Sequence, residues 1–227
     1  MGPYAPEELL ACVIARLLGG ARHAAIGASS PIPASGCFLR RISDPSFRVS
    51  LQQRRAHNPF TEGSRELFDL AGQGRIDVFF LGGAQIDGAA NINLVQAEGR
   101  RFPGSFGSAY MYRAVPKVIL FREEHSKRVL VPKVEFVSAA GDPAALLTGK
   151  ALFSWQKDRR RFRLESFHAG SSEEEIRGIT GFEFDVSDSL QETPAPSAEE
   201  LSLLRTKVCK QVAADYPDFA RRVWGIH

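Results

Sequence analysis

Cysteine is scarce in this sequence, tryptophan and methionine are scarcer, and no hydrophobic run is long. The three cysteines, Cys12, Cys37 and Cys209, lie far apart and form no CxxC pair. That argues against a structural zinc site or a disulfide framework and fits a reducing compartment. No apolar stretch approaches the ~20 residues that a membrane helix needs. The N-terminal stretch carries Glu7, Glu8 and Arg16 at helical spacing, with no basic residue before it. It reads as an amphipathic helix and not as a secretory segment. A large charge of one sign is also missing. The net charge is +3, too small to argue for nucleic acid. The basic run Gln156–Arg163 and the acidic run Ser171–Arg177 read as solvated faces. The expectation is a soluble, cytoplasmic protein with no membrane and no nucleic-acid partner, and no metal.

What is present is an ordinary globular composition. The chain has 227 residues, 44% hydrophobic and 24% charged, enough for one large domain or one domain with an appendage. Leu9, Leu10, Val13, Ile14, Leu17 and Leu18 recur at helical spacing, and Gly19-Gly20 ends that helix. "HAAIG", "FRVSL" and "RIDVFFLGG" read as strands, the last with the continuous apolar run of a covered parallel sheet. "SSPIPASGCFLRRI" leads into a helix, and "SRELFDLAGQG" is a helix with a serine cap and a glycine stop. "KVILFRE" and "RVLVPKVEFVS" read as strands, and "GKALFSW" with "RRFRLESF" as a hairpin pair. "SSEEEIRGIT" opens as a helix should. Ser197, with Glu200 at capping-box spacing, starts a C-terminal helix. The alternation predicts an α/β fold: an open, largely parallel sheet with flanking helices. A single domain is expected over residues 1–227, with a C-terminal helical extension from about residue 194.

Ligands of such sheets sit beyond the carboxyl ends of the strands. Two stretches stand there. "LGGAQIDGAANINL" (Leu81–Leu94) is rich in small residues and amides. Gln85, Asp87 and Asn93 either hydrogen-bond a ligand or lock the loop. "PGSFGSAY", within Arg100–Arg113, is a glycine-serine turn whose backbone N–H groups can face an anion or a carbonyl oxygen. It is neither a Walker A loop nor a GxGxxG fingerprint.

The order "FDLAGQGRIDVFFLGGAQIDGAANINL", "FPGSFGSAY", "VILFREEHSKRVLVPKVEFVS" resembles the B (beta) subunit of the class I CoA-transferase family. The glutaconate CoA-transferase branch and the steroid-ring-cleaving CoA hydrolases of the same fold are the nearest in pattern. The segments "ESFHAGSSEEEIRGITGFEFDV" and "APSAEELSLLR" extend the likeness, which runs from about Glu8 to Arg205. The resemblance implies a sheet like that of ribose-5-phosphate isomerases and an A (alpha) subunit as partner, in a heterodimer or heterotetramer. It also implies a coenzyme A thioester as substrate, with no tightly bound cofactor. In such transferases a B-subunit glutamate attacks the acyl-CoA and becomes a glutamyl-CoA thioester. A glycine-rich turn holds the oxyanion. Gly104, Ser105, Phe106 and Gly107 occupy that place, with Gln85 and Asn93 as further CoA-binding candidates.

The chain departs from the family pattern where the nucleophile belongs. After "FRVSL" it reads Gln52, Gln53, Arg54, Arg55, and no carboxylate occurs between Asp44 and Glu62. A glutamine amide is a poor nucleophile and an arginine is always charged. Glu62 is the displaced substitute candidate. The hydrolase branch also lacks the B-subunit glutamate, and there the A subunit carries the chemistry. Arg54 and Arg55 are candidate anion binders, and His57 is a candidate titrating group. His125 follows a strand end, and His168 precedes Gly170 at a turn. His125 reads as structural or site-lining, and His168 as structural. Two functional readings remain: a catalytic subunit of the B type, transferase or hydrolase, and a non-catalytic subunit that stabilises an A-type partner. A sugar-phosphate isomerase would need a phosphate loop and an acid/base pair, and neither is evident.

Overall fold

The computed structural model describes residues 3–54 and 59–226. In chain order the elements are α1 (Pro6–Leu17), β1 (His23–Ile26), α2 (Pro31–Ser43), β2 (Arg48–Leu51), α3 (Ser64–Gly72), β3 (Val78–Leu81), β4 (Gln85–Asp87), β5 (Asn91–Asn93), β6 (Gln96–Ala97) and β7 (Arg100–Arg101). There follow α4 (Ser108–Ala114), β8 (Lys117–Arg122), β9 (Leu130–Val131), β10 (Ala139–Ala140), β11 (Ala145–Thr148), β12 (Ala151–Gln156), β13 (Arg161–Phe167), α5 (Glu173–Ile179) and β14 (Asp185–Glu192). The chain ends with α6 (Ala198–Leu203), a π turn (Leu204–Val208), α7 (Cys209–Asp215) and α8 (Pro217–Trp224). This is the expected α/β class. Parallel pairs join β1 to β2, β8 to β11 and β13 to β14, and helices flank them. The predicted β12–β13 hairpin is antiparallel, as its short polar turn requires. No helix among the described residues is long and apolar enough to cross a membrane.

The chain forms two compact units, residues 1–78 with 195–227, and residues 79–194. In the first unit α1 starts at Pro6, and the Glu8 carboxylate turns back to accept the Ala5 N–H at 2.9 Å. Its apolar stripe, Leu10 and Ile14, is buried against α2. The two helices meet where Gly36 leaves no side chain. A Cβ there would stand 2.5 Å from the Ile14 methyl. Ser197 caps α6 and Glu200 completes the box, as its spacing predicts. The π turn that follows keeps Leu204 and Val208 fully buried, and Cys209 and Val212 beyond it also face the core. Burial raises the Cys12 thiol to about 12 and pushes Cys37 higher, so both behave as small apolar side chains.

The second unit contains the order β14-β13-β12-β11-β8-β3 and a small sheet ordered β10-β5-β4-β9. Four expectations need correction here or in the first unit. The cap of α3 is Gly63 and not Ser64. The Glu66 carboxylate accepts from the Thr61 hydroxyl and the Glu62 N–H and does the capping work from inside the helix. "RVLVPKVEFVS" is a strand only at Leu130–Val131, because Pro132 has no N–H to continue a ladder. The Leu81–Leu94 stretch is not an open loop. It folds into the β4–β5 hairpin, with Gln85 opposite Asn93. Arg100–Arg113 contains β7 and most of α4, which the glycines and serine in "PGSFGSAY" concealed.

Candidate functional site

At the carboxyl ends of β1 and β2, in the first unit, stand Gln52, Gln53 and Arg54. The backbone N–H of Gln52 continues the parallel ladder to the Ile26 carbonyl at 3.0 Å. The Gln53 side chain accepts from the Ser29 N–H at 3.4 Å, so it leans over the turn that follows β1. Arg54 is tied down by its own chain. Its Nε and Nη2 donate to Asp215 Oδ2 at 3.1 and 2.9 Å. Its guanidinium also lies 5.8 Å from the centroid of the buried Phe38 ring. Arg41 stacks on the same ring at 4.9 Å and donates to Gln211 at 2.6 Å. Asp215 is therefore a carboxylate delivered to the β2 end by the C-terminal helices. Sequence reading missed it, because 161 residues separate it from Arg54. The only advance signal was an acidic residue closing a helix. Arg55 and His57 lie outside the described residues. Glu62 is exposed, and its ion pair with Arg65 is a loose 3.7 Å contact.

In the second unit the two candidate stretches differ. Gln85, Asp87 and Asn93 are buried. The Asn93 amide donates to Gln85 Oε1 and the Gln96 carbonyl and accepts from the Val95 and Gln96 N–H groups. Asp87 accepts four hydrogen bonds, from Ala89, from the backbone and side chain of Asn91, and from Val134. Gln85 bridges to Glu135. All three bind the hairpin to its neighbours. The 104–107 turn is the opposite. Gly104 has φ 118° and is exposed, Phe106 has φ 48°, and Gly107 precedes α4. Ser108 N–H closes the turn onto the Ser105 carbonyl at 3.0 Å. The N–H groups of Ser105 and Gly107 have no acceptor among the described residues.

His125 and His168 belong to one buried chain of hydrogen bonds. Thr180 donates to the Ile176 carbonyl at 2.7 Å, so His125 Nε2 must donate to Thr180 at 2.9 Å. His125 Nδ1 lies 2.8 Å from the Thr148 hydroxyl, which also donates to the Ala151 carbonyl at 3.1 Å. His168 Nε2 faces the Thr148 carbonyl at 3.0 Å and donates to it. Its Nδ1 accepts from the Thr193 hydroxyl, which in turn accepts from Ser166 at 2.7 Å. Burial keeps both rings neutral at neutral pH. Burial, first of all, lowers each to about 4, and the repulsion between the two rings adds to the effect at His125. Each ring nitrogen faces a hydroxyl or carbonyl of the fold, which fits a structural role. No group of His, Cys, Asp and Glu among the described residues could hold a metal ion.

Residues 37–150 match the family model described as coenzyme A transferase. The chain belongs to the coenzyme A transferase family. It is similar to the B subunit of 3-oxoadipate CoA-transferase from Pseudomonas knackmussii, with 24% identity over 94% of this chain and 97% of the relative. It is also similar to the B subunit of glutaconate CoA-transferase from Acidaminococcus fermentans, with 26% identity over 58% of this chain and 56% of the relative. Among solved structures, the decarboxylase AibA/AibB superposes with a TM-score of 0.78 at 23% identity, covering 98% of this chain and 99% of that one. Glutaconate CoA-transferase from A. fermentans gives 0.78 at 20%, covering 90% and 95%. IpdAB of Rhodococcus jostii gives 0.77 at 22%, covering 90% and 94%. At these identities the superpositions establish the family fold. The matched family segment contains the β2 end, the β4–β5 hairpin and the 104–107 turn.

Proposed function

We propose that this chain is the B half of a CoA-transferase-type enzyme, pairing with an A-type subunit and acting on an acyl-CoA thioester in the cytoplasm. In this reading the 104–107 turn supplies backbone donors for the thioester oxygen. The N–H groups of Ser105 and Gly107, which have no acceptor among the described residues, support that role. Gln85 and Asn93 act indirectly, by fixing the hairpin. The chain contributes no carboxylate nucleophile, and the base or nucleophile comes from the partner. The observation that carries this is the β2 end. Gln52 and Gln53 replace an acid there, and Asp215, the carboxylate that reaches Arg54, is already paired with it. Such a subunit fits hydrolytic, decarboxylating or ring-cleaving chemistry on a CoA ester better than covalent CoA transfer.

The test is trapping. The complex with its A-type partner is incubated with an acyl-CoA and reduced with borohydride, and both chains are mapped by mass spectrometry. A reduced glutamyl or aspartyl residue on this chain would refute the reading. A complex that turns over without such a residue supports it.

A further inference from the structure

Among the described residues, the well-exposed large apolar side chains are Phe102, Phe106, Tyr110, Phe136 and Val137. All belong to the second unit. Phe106 is the most exposed, at 69%. Its φ of 48° is in the left-handed region, where a bulky L side chain is a rare and strained occupant. A glycine would make the same bend without that cost. The turn therefore holds an aromatic ring outward against a backbone penalty. The same turn carries the N–H groups of Ser105 and Gly107, which have no acceptor among the described residues. A protein interface alone would account for the ring but not for the donors beside it. An acyl thioester accounts for both, since its carbonyl oxygen and its hydrocarbon chain branch from one carbon.

We propose that Phe106 determines acyl selectivity. Its ring gives the turn an apolar wall that favours CoA thioesters of bulky apolar acyl groups over short ones. The proposal rests on the reading that this turn faces the thioester, and its test separates the two. The complex with the A-type partner is titrated with coenzyme A, acetyl-CoA and cyclohexanecarbonyl-CoA as probes. The wild type binds cyclohexanecarbonyl-CoA more tightly than acetyl-CoA. Phe106→Ala and Phe106→Gly each weaken cyclohexanecarbonyl-CoA about tenfold and change acetyl-CoA by less than about twofold. Phe106→Gly also relieves the bend, so its melting temperature does not fall, which removes misfolding as an explanation. Equal losses for both thioesters, or an unchanged preference, overturn the proposal while leaving the CoA-ester reading intact. Loss of the A-type partner from the variant complex on a sizing column makes the ring an interface residue and also overturns it. A wild-type complex that binds neither coenzyme A nor its thioesters overturns the underlying reading, and the selectivity proposal with it.

Discussion

The end of β2 and the 104–107 turn both lie in the family-matched part of the chain, yet they treat their polar groups in opposite ways. At the β2 end the side chains bind one another: Arg54 to Asp215, Arg41 to Gln211, Gln53 to the backbone of Ser29. At the turn, two backbone donors have no partner among the described residues and an aromatic ring is largely exposed. The first pattern stabilises a fold. The second leaves capacity for a ligand.

If that contrast is correct, disturbing the self-paired groups changes stability first, and disturbing the turn changes binding first. The largest effect is expected from acid. His125 and His168 are lowered to about 4 in the folded chain, below the ordinary value near 6.5. Their neutral forms stabilise the fold fully above about pH 6.5, and that contribution is lost as the pH falls towards 4. Unfolding titrations should lose up to about 3 kcal/mol per histidine across this window. A flat pH profile would break the closed-network picture. Next comes Arg54→Ala, which strands Asp215, whose side chain is only 7% exposed. A loss of about 3 kcal/mol in denaturant melts is expected. A neutral result would mean that the β2 end is open after all.

Asn93→Ala removes four hydrogen bonds from a fully buried position. It should cost about 2 kcal/mol, with faster amide exchange in the β4–β5 hairpin. Gly104→Ala forces a side chain onto a φ of 118°. A destabilisation of about 1–2 kcal/mol is expected, with a larger proportional fall in thioester affinity measured by calorimetry. Glu62→Gln sharpens the comparison from the other side. Its exposed, loose pair with Arg65 predicts a change below about 0.5 kcal/mol and no change in turnover. Loss of turnover would make Glu62 the displaced nucleophile.

Much of the fold was legible because its signals are local. Prolines and acidic residues at helix starts, the Ser197–Glu200 box and the apolar strand "VFFL" all point to the elements that form. The errors came where a local signal was outvoted. Pro132 cut a run rich in valine, and Glu66 supplied from inside α3 the cap expected of Ser64. The glycine and serine content before α4 hid a helix whose Met111 and Tyr112 are buried. The site was only half legible. Residue order revealed that no carboxylate stands between Asp44 and Glu62, but not that Asp215 reaches Arg54, since that pairing depends on tertiary packing over a long separation. The left-handed bend at Phe106 was likewise invisible, because nothing in a phenylalanine announces a positive φ.

The π turn at Leu204–Val208 carries one residue more than the α turns on either side of it. That surplus rotates α7 by about 100° relative to an unbroken continuation of α6. The rotation lets Arg205 reach Glu8 while Cys209 and Val212 still face the core. The C-terminal helices therefore contain a length register, a place where one residue has been absorbed without misaligning what lies beyond. A one-residue deletion inside 204–208 would close the π turn to an α turn and keep Asp215 beside Arg54. The same deletion within α7, where there is no surplus to remove, would swing Asp215 away.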